Sequence, residues 1–229
     1  MNSDLPKVLH EINGRPILGI LLDTLVPLGF ERICVVIGHK GEMVQERLSG
    51  YPITFAWQRE QLGTGHAVMM TREQMADFEG TTLVLAGDVP LLSRQSIELL
   101  LSVHEQTSAV ATCLTTFLED PTGYGRIVRG SGASLQEIVE HKDASEVIRK
   151  IREINSGTFC FDNRSLFGVL DKLRNNNVQS EYYLTDTVKI FHDSGLRVSV
   201  AVTDDPDEVR GINSVEQLDE LATIFADRA

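Results

Sequence analysis

The sequence predicts an α/β protein: a mixed, mainly parallel sheet flanked by helices, with a β-rich lobe inserted into it. Three observations point there. Over the first 110 or so residues, short apolar runs rich in β-branched side chains alternate with helix-like segments, as βαβ units do. From Ser108 to Phe161, strand-like runs follow one another with few helices between them. The 229 residues contain no low-complexity linker and no internal repeat, so one domain over residues 1–229 is the economical reading.

Taken in order, Pro16 to Leu28 is apolar at most positions and stops at Gly29, a helix with a glycine terminator. "RICVVIG" (Arg32 to Gly38) reads as a strand buried on both faces. A polar helix over Gly41 to Leu48 and a strand over Ile53 to Trp57 follow. His66 to Met75 reads as one helix, and "TTLVLAGDVPL" (Thr81 to Leu91) as a buried strand stopping at Gly87-Asp88. Ser93 is placed to cap a helix running to His104. "SAVATCLTTF", "GRIVRG", "SLQEIVEH" and "IREINSGTFCF" supply the inserted strands. Helices over Arg164 to Asn175 and Tyr182 to Ser194, a strand over Leu196 to Val202 and an amphipathic helix from Ser214 to Ala229 complete the chain.

Composition narrows the function. A formal net charge of -12 repels phosphate backbones, which argues against nucleic acid or an anionic membrane as partner. A phosphorylated small molecule stays possible, since it needs only a local cation. Cys34, Cys113 and Cys160 lie in apolar runs without metal-ligand spacing, and an odd number of such thiols suits a reducing cytoplasm. Met1 to Ile12 has neither the basic start nor the apolar stretch of a signal peptide, and no apolar run has the length of a membrane span. A cytoplasmic protein is expected.

Three stretches fall where α/β sheets bind ligands, beyond the carboxyl ends of strands. In "QREQLGTGHA" (Gln58 to Ala67), Gly63 and Gly65 permit close backbone approach, and a helix N-terminus follows Thr64. The same glycines serve equally well as strand-to-helix geometry. Asp88 stands just past a buried strand, as a cation-holding carboxylate or as a turn-forming one. "QEIVEHKDA" (Gln136 to Ala144) reads locally as a solvated charge cluster at a strand end. "DPTGYGR" (Asp120 to Arg126) and "NNNVQSEYYLTD" (Asn175 to Asp186) stand out for composition. None of the six histidines has metal-binding spacing, and no serine or cysteine sits in a nucleophile elbow.

Eight stretches in order, "SDLPKVLH", "EQLGTGHA", "GDVPLL", "DPTGYGRI", "IVEHKDA", "EINSG", "NNNVQSEYYLTD" and "GINS", resemble the uridylyltransferase domain of bacterial bifunctional N-acetylglucosamine-1-phosphate uridylyltransferases. The likeness runs from Ser3 to Ser214. It implies a Rossmann-like nucleotidyltransferase fold that uses Mg²⁺, UTP and N-acetylglucosamine 1-phosphate and releases UDP-N-acetylglucosamine and pyrophosphate. By the same resemblance Gln58, Gly63 and Thr64, with Gln61, would hold the uracil. Ala86, Gly87 and Asp88 would line the ribose and metal region. Asp88 and Asn213 would ligate the metal, Lys7 would meet the phosphates, and Gly125, Glu140 and Asn155 would bind the amino-sugar. Such chemistry needs positioning and charge neutralisation rather than a protein nucleophile, consistent with the absence of one here. The other readings are a catalytically inactive sugar-nucleotide binding domain and a related pyrophosphorylase with another sugar or base.

In the family, "SDLPK" follows a first strand and a glycine-rich phosphate loop of the type Leu-Ala-Ala-Gly-x-Gly-Thr-Arg. The sequence is therefore expected to be an N-terminally incomplete domain, separated also from the family's carboxy-terminal acetyltransferase domain. Because that domain is what largely holds the family's trimers together, a monomer is expected.

Overall fold

The computed structural model describes residues 4–130, 134–212 and 214–228. A short hairpin, β1 (Glu11–Ile12) with β2 (Arg15–Pro16), leads directly into helix α1 (Ile17–Leu25). Seven of the nine α1 residues are buried, as expected of a helix that is apolar almost all round. A single 3₁₀ turn continues it to Leu28, and Gly29 ends it in the left-handed region (φ 74°).

Next come β3 (Cys34–Ile37), α2 (Gly41–Arg47) and β4 (Thr54–Trp57), a βαβ unit whose strands pair in parallel from Cys34↔Thr54 to Ile37↔Trp57. The single helix expected over His66 to Met75 is two, α3 (Thr64–Met69) and α4 (Arg72–Met75). Between them the Thr71 hydroxyl donates back to the Val68 carbonyl at 2.8 Å, competing with the helical ladder. Strand β5 (Thr81–Val84) is followed by α5 (Arg94–Thr107), where Ser93 Oγ accepts the Ser96 N–H at 3.1 Å as the expected cap.

The second half contains β6 (Ala111–Phe117), β7 (Arg126–Arg129), β8 (Leu135–Val139), α6 (Glu146–Arg149), β9 (Glu153–Asp162), α7 (Asn163–Val169), α8 (Asp186–Asp193), β10 (Val198–Val202) and α9 (Val215–Asp227). The helix expected from Tyr182 starts only at Asp186, because Tyr182 to Leu184 spend their backbone groups elsewhere. The longest strand, β9, organises the sheet. It pairs antiparallel with β6 along one edge. Its other edge carries β5 at one end (Val84↔Phe159 to Thr81↔Asp162) and β7 at the other (Arg126↔Ile154). Parallel β10 extends the sheet beyond β6, and antiparallel β8 extends it beyond β7 as the added lobe.

Helices cover both faces, and the period of two along the strands decides which core each residue joins. Leu114 and Cys160 pack with Leu21, Leu22, Leu100 and Ile154 on one face. Cys113, Phe159 and Phe161 pack with Leu166, Leu170 and Phe191 on the other. A third cluster seats Leu221 of α9 against Ile12, Ile17 and Ile212. Among the described residues no helix is long and apolar enough to cross a membrane.

The sheet is interrupted at one place. The β3–β4 pair is not hydrogen-bonded to the larger sheet through any described strand. Between β3 and β5 lies a cavity of about 630 Å³, walled by Val35, Val36, Leu83 and Val84 and floored by Leu18 and Leu21 of α1.

The cap at Ser93 gives a direct stability test. Ser93→Ala is expected to lose about 1 kcal/mol, lowering Tm by about 2–4 °C for a chain of this size. Calorimetry checks it, and an unchanged Tm would refute the cap's contribution.

Candidate active site

The two strands flanking the cavity both end at its polar mouth. β3 is followed by Gly38, and β5 by the run Leu85-Ala86-Gly87-Asp88. Lys7, Gln61, Thr64, Ala86, Gly87, Glu140 and Asn155 all line this one cavity. Seven residues singled out from separate stretches of sequence therefore meet in space. Asp88 joins them through Lys7, whose ammonium lies on Asp88 Oδ2. The returning chain passes the same carboxylate: Ile212 N–H donates to the Asp88 carbonyl at 3.1 Å, and a Cβ on Gly211 would stand 3.4 Å from Oδ2. Asn213 lies outside the described residues.

The turn before α3 is built by a backbone clamp. Tyr182 N–H donates to the Leu62 carbonyl and Gly65 N–H to the Tyr182 carbonyl, each at 2.7 Å. Leu184 N–H donates to Thr64 Oγ1 at 3.0 Å. This approach explains the glycines. Gly63 has φ 103°, and a Cβ there would stand 2.7 Å from the Tyr182 carbonyl; at Gly65 one would stand 2.6 Å from Leu173 Cδ1. Gln58 Nε2 closes the turn from within, donating to the Gly63 carbonyl at 3.0 Å and lying 3.0 Å from His66 Nδ1. Gln58 and Gly63 thus hold the turn's frame, while Gln61 and Thr64 reach the cavity. The asparagine-rich stretch serves the same clamp. Asn177 Nδ2 donates to the Glu181 carbonyl at 2.6 Å, and its Oδ1 accepts the Glu181 N–H at 3.1 Å.

Across the cavity, Glu140 and Asn155 are brought together, with Gly125 behind them rather than lining the cavity. Asn155 N–H donates to the Gly125 carbonyl at 2.9 Å, and a Cβ on Gly125 would lie 3.3 Å from Glu140 Oε2. Asn155 sits at an irregularity in the β6–β9 ladder, the kind of bulge that re-aims a side chain. Its Oδ1 accepts the Gly157 N–H at 2.9 Å and the Cys113 thiol at 3.2 Å, so a ligand meets the donor side of the amide. Gly157 takes φ 77°, and Ser156 Oγ donates to the Leu114 carbonyl at 2.7 Å, which accounts for the "NSG" sequence.

Burial pushes the Glu140 carboxyl above the ordinary carboxylate range. The Thr185 hydroxyl, donating to Oε1 at 2.9 Å, opposes this, while Asp186, Asp143 and Glu181 push it further up. Burial, then Asp143 and Glu137, also raise Asp186. Asp143 and Asp186 line a neighbouring pocket that shares Glu140 with the cavity, while Lys7 lies at the cavity's other side paired with Asp88.

The Nucleotidyl transferase family pattern matches residues 2–205. The chain belongs to that family. It is also 46% identical over 228 residues to the bifunctional protein GlmU of Bacillus cereus (strain G9842). The GlmU proteins of Bacillus thuringiensis (strain Al Hakam) and Bacillus anthracis (strain CDC 684 / NRRL 3495) are 46% identical over the same length. Each match covers 100% of this chain, which spans 50% of the length of those relatives. The nucleotidyl transferase fold accounts for the mixed sheet flanked by helices.

The oxygen donors at the site suit a hard divalent cation. Among the described residues no three His, Cys, Asp or Glu side chains cluster to cage an ion. Asp88 offers a single carboxylate to a hard divalent cation that would take its other ligands from water and phosphate, and here that carboxylate is paired with Lys7. Sequence reasoning missed Thr185, which holds Glu140, and Arg126, which is buried behind Gly125. Thr185 lies in a stretch read as helix, and nothing local in the sequence marks its partner.

Gly63→Ala meets both a positive φ and the Tyr182 carbonyl, and is expected to lose about 1–3 kcal/mol. Urea unfolding measures it, and a loss below about 0.5 kcal/mol would refute the clamp's rigidity. Glu140, for its part, makes stability depend on pH. A carboxyl whose folded pKa is raised binds protons preferentially in the folded state, so stability falls as pH rises from the unfolded carboxylate range to the raised value. Glu140→Gln keeps the Thr185 acceptor and removes the charge. Its stability relative to the parent is therefore expected to increase over that interval and then level off, in denaturation curves taken from about pH 4 to 8. A difference independent of pH would show that Glu140 is not perturbed.

Proposed function

We propose that this domain transfers UMP from UTP to N-acetylglucosamine 1-phosphate, giving UDP-N-acetylglucosamine and pyrophosphate. The observation that carries the reading is the single cavity around which Lys7, Gln61, Thr64, Ala86, Gly87, Glu140 and Asn155 meet. These residues come from every one of the four groups that the resemblance assigns to base, ribose and metal region, phosphates and amino-sugar.

The residues' chemistry suits those parts. Gln61 and Thr64 offer an amide and a hydroxyl to the edge of a base, held in place by the clamp around Gly63. Ala86 and Gly87 present backbone to the ribose. Glu140 and the Asn155 amide hydrogen-bond the hydroxyl and acetamido groups of a neutral sugar. Lys7 puts a cation where charge develops as a sugar-phosphate oxygen attacks the α-phosphorus in line. Asp88 and Asn213 are the residues that would hold Mg²⁺. When bound, the ion neutralises the approaching phosphate oxygens and lowers their repulsion. The protein's own task is to hold two anionic groups in attacking geometry.

The apolar slot between β3 and β5 is flanked by two strand edges that lack a described partner on that side.

Pyrophosphate release from UTP and N-acetylglucosamine 1-phosphate tests the proposal, with this chain assayed beside a version carrying the glycine-rich segment upstream. Mg²⁺-dependent release is expected, at least from the extended version, and Asp88→Ala is expected to lower kcat/KM about a hundredfold or more. Undiminished activity in that variant would sink the role of Asp88. Binding of UDP-N-acetylglucosamine without turnover in either version would favour a sugar-nucleotide binding domain instead.

A further inference from the structure

Arg126, the first residue of β7, is 1% exposed. Among the described residues it forms no ion pair with a carboxylate, and its buried Nε–H has no hydrogen-bond partner. Its guanidinium instead donates to the Tyr124 carbonyl and, at 3.4 Å, to the Arg149 carbonyl; Nη2 also lies 3.4 Å from His141 Nδ1. A guanidinium can only donate, so that contact is a hydrogen bond when the imidazole carries its proton on Nε2. Burial lowers the pKa of this guanidinium, opposed by the more distant charge of Asp120.

A buried cation without a counter-charge is a poor choice for stability, and an apolar side chain of similar volume commonly does as well or better there. The arrangement makes sense as geometry. The three contacts reach the turn ending in Gly125, the end of β8 where Glu140 precedes His141, and the end of α6, from which the chain enters β9 and Asn155. Each contact therefore lies on a segment that presents one of the three residues around the acceptor pocket.

We propose that Arg126 is a positioning residue for the acceptor: its guanidinium fixes Gly125 against Glu140 and Asn155, setting affinity for the sugar phosphate and leaving affinity for UTP alone. This rests on the functional reading above. Misplacing a pocket by about 1 Å can cost up to a hundredfold in rate, and Arg126 touches no substrate itself.

The test uses Arg126→Met, which keeps apolar bulk without the donors, and Arg126→Lys, which keeps charge without the fork. Steady-state pyrophosphate release in the catalytically competent form gives KM for each substrate, beside thermal melts. The expected result is a rise of about tenfold or more in KM for N-acetylglucosamine 1-phosphate in both variants. KM for UTP should stay within about twofold, and the Tm of Arg126→Met should not fall. A purely structural role would lower Tm and move both KM values together, and that outcome overturns the proposal. So does an unchanged acceptor KM in variants of an active parent. A parent that never turns over the sugar phosphate would defeat the functional reading, and this proposal with it.

Discussion

The pairing of β9 with three strands is the constraint on which the site depends. One edge is filled by β6, and the other is divided between β5 and β7. Because β5 leads on to Asp88 and β7 begins just after Gly125, dividing that edge sets Asp88 and Gly125 at fixed separation on one strand. The division coincides with the irregularity at Asn155-Ser156-Gly157, where β9 belongs to neither ladder. The same local kink that ends one pairing and permits the next also places the Asn155 amide in the cavity. Fold and site share this feature, so the "NSG" sequence cannot be altered for one without the other.

A second contact, built on the backbone, fixes the turn before α3. The clamp between Leu62–Gly65 and Tyr182–Leu184 uses three N–H donors and requires two residues without a Cβ. Its strength lies in sterics as much as in hydrogen bonding, since neither glycine position tolerates a side chain without moving the facing chain. Leu184 contributes twice. Its N–H closes the clamp on Thr64, and its buried side chain joins the core with Val188 and Phe191, anchoring the clamp to α8.

What the sequence made legible was what is decided locally. Ser93 and Ser214 cap helices with their own side chains, and Gly29 terminates one with its own φ. Asp88 at a strand's carboxyl end follows from the apolar run before it. Features that depend on a remote partner were not legible. Tyr182 to Thr185 has helix-like composition, but its backbone is taken up by a turn some 120 residues away in sequence. The glycines at 63 and 65 left ligand contact and turn geometry equally open, and the structure shows a third use, close approach to another segment. Arg126 was hidden most thoroughly, since a charged residue beginning "RIVR" reads as solvated until the turn, β8 and α6 close over it.

The distribution of charge sets the two ends of the cavity apart. Burial first, and then neighbouring carboxylates, hold Glu140 and Asp186 above the ordinary carboxylate range, so a phosphate placed beside them would add a further like charge. At the opposite end Lys7 faces the cavity mouth with Asp88. Charge along the cavity is therefore uneven, with the carboxyl of Glu140 at one end and the Lys7–Asp88 pair at the other, within a chain whose net charge is -12.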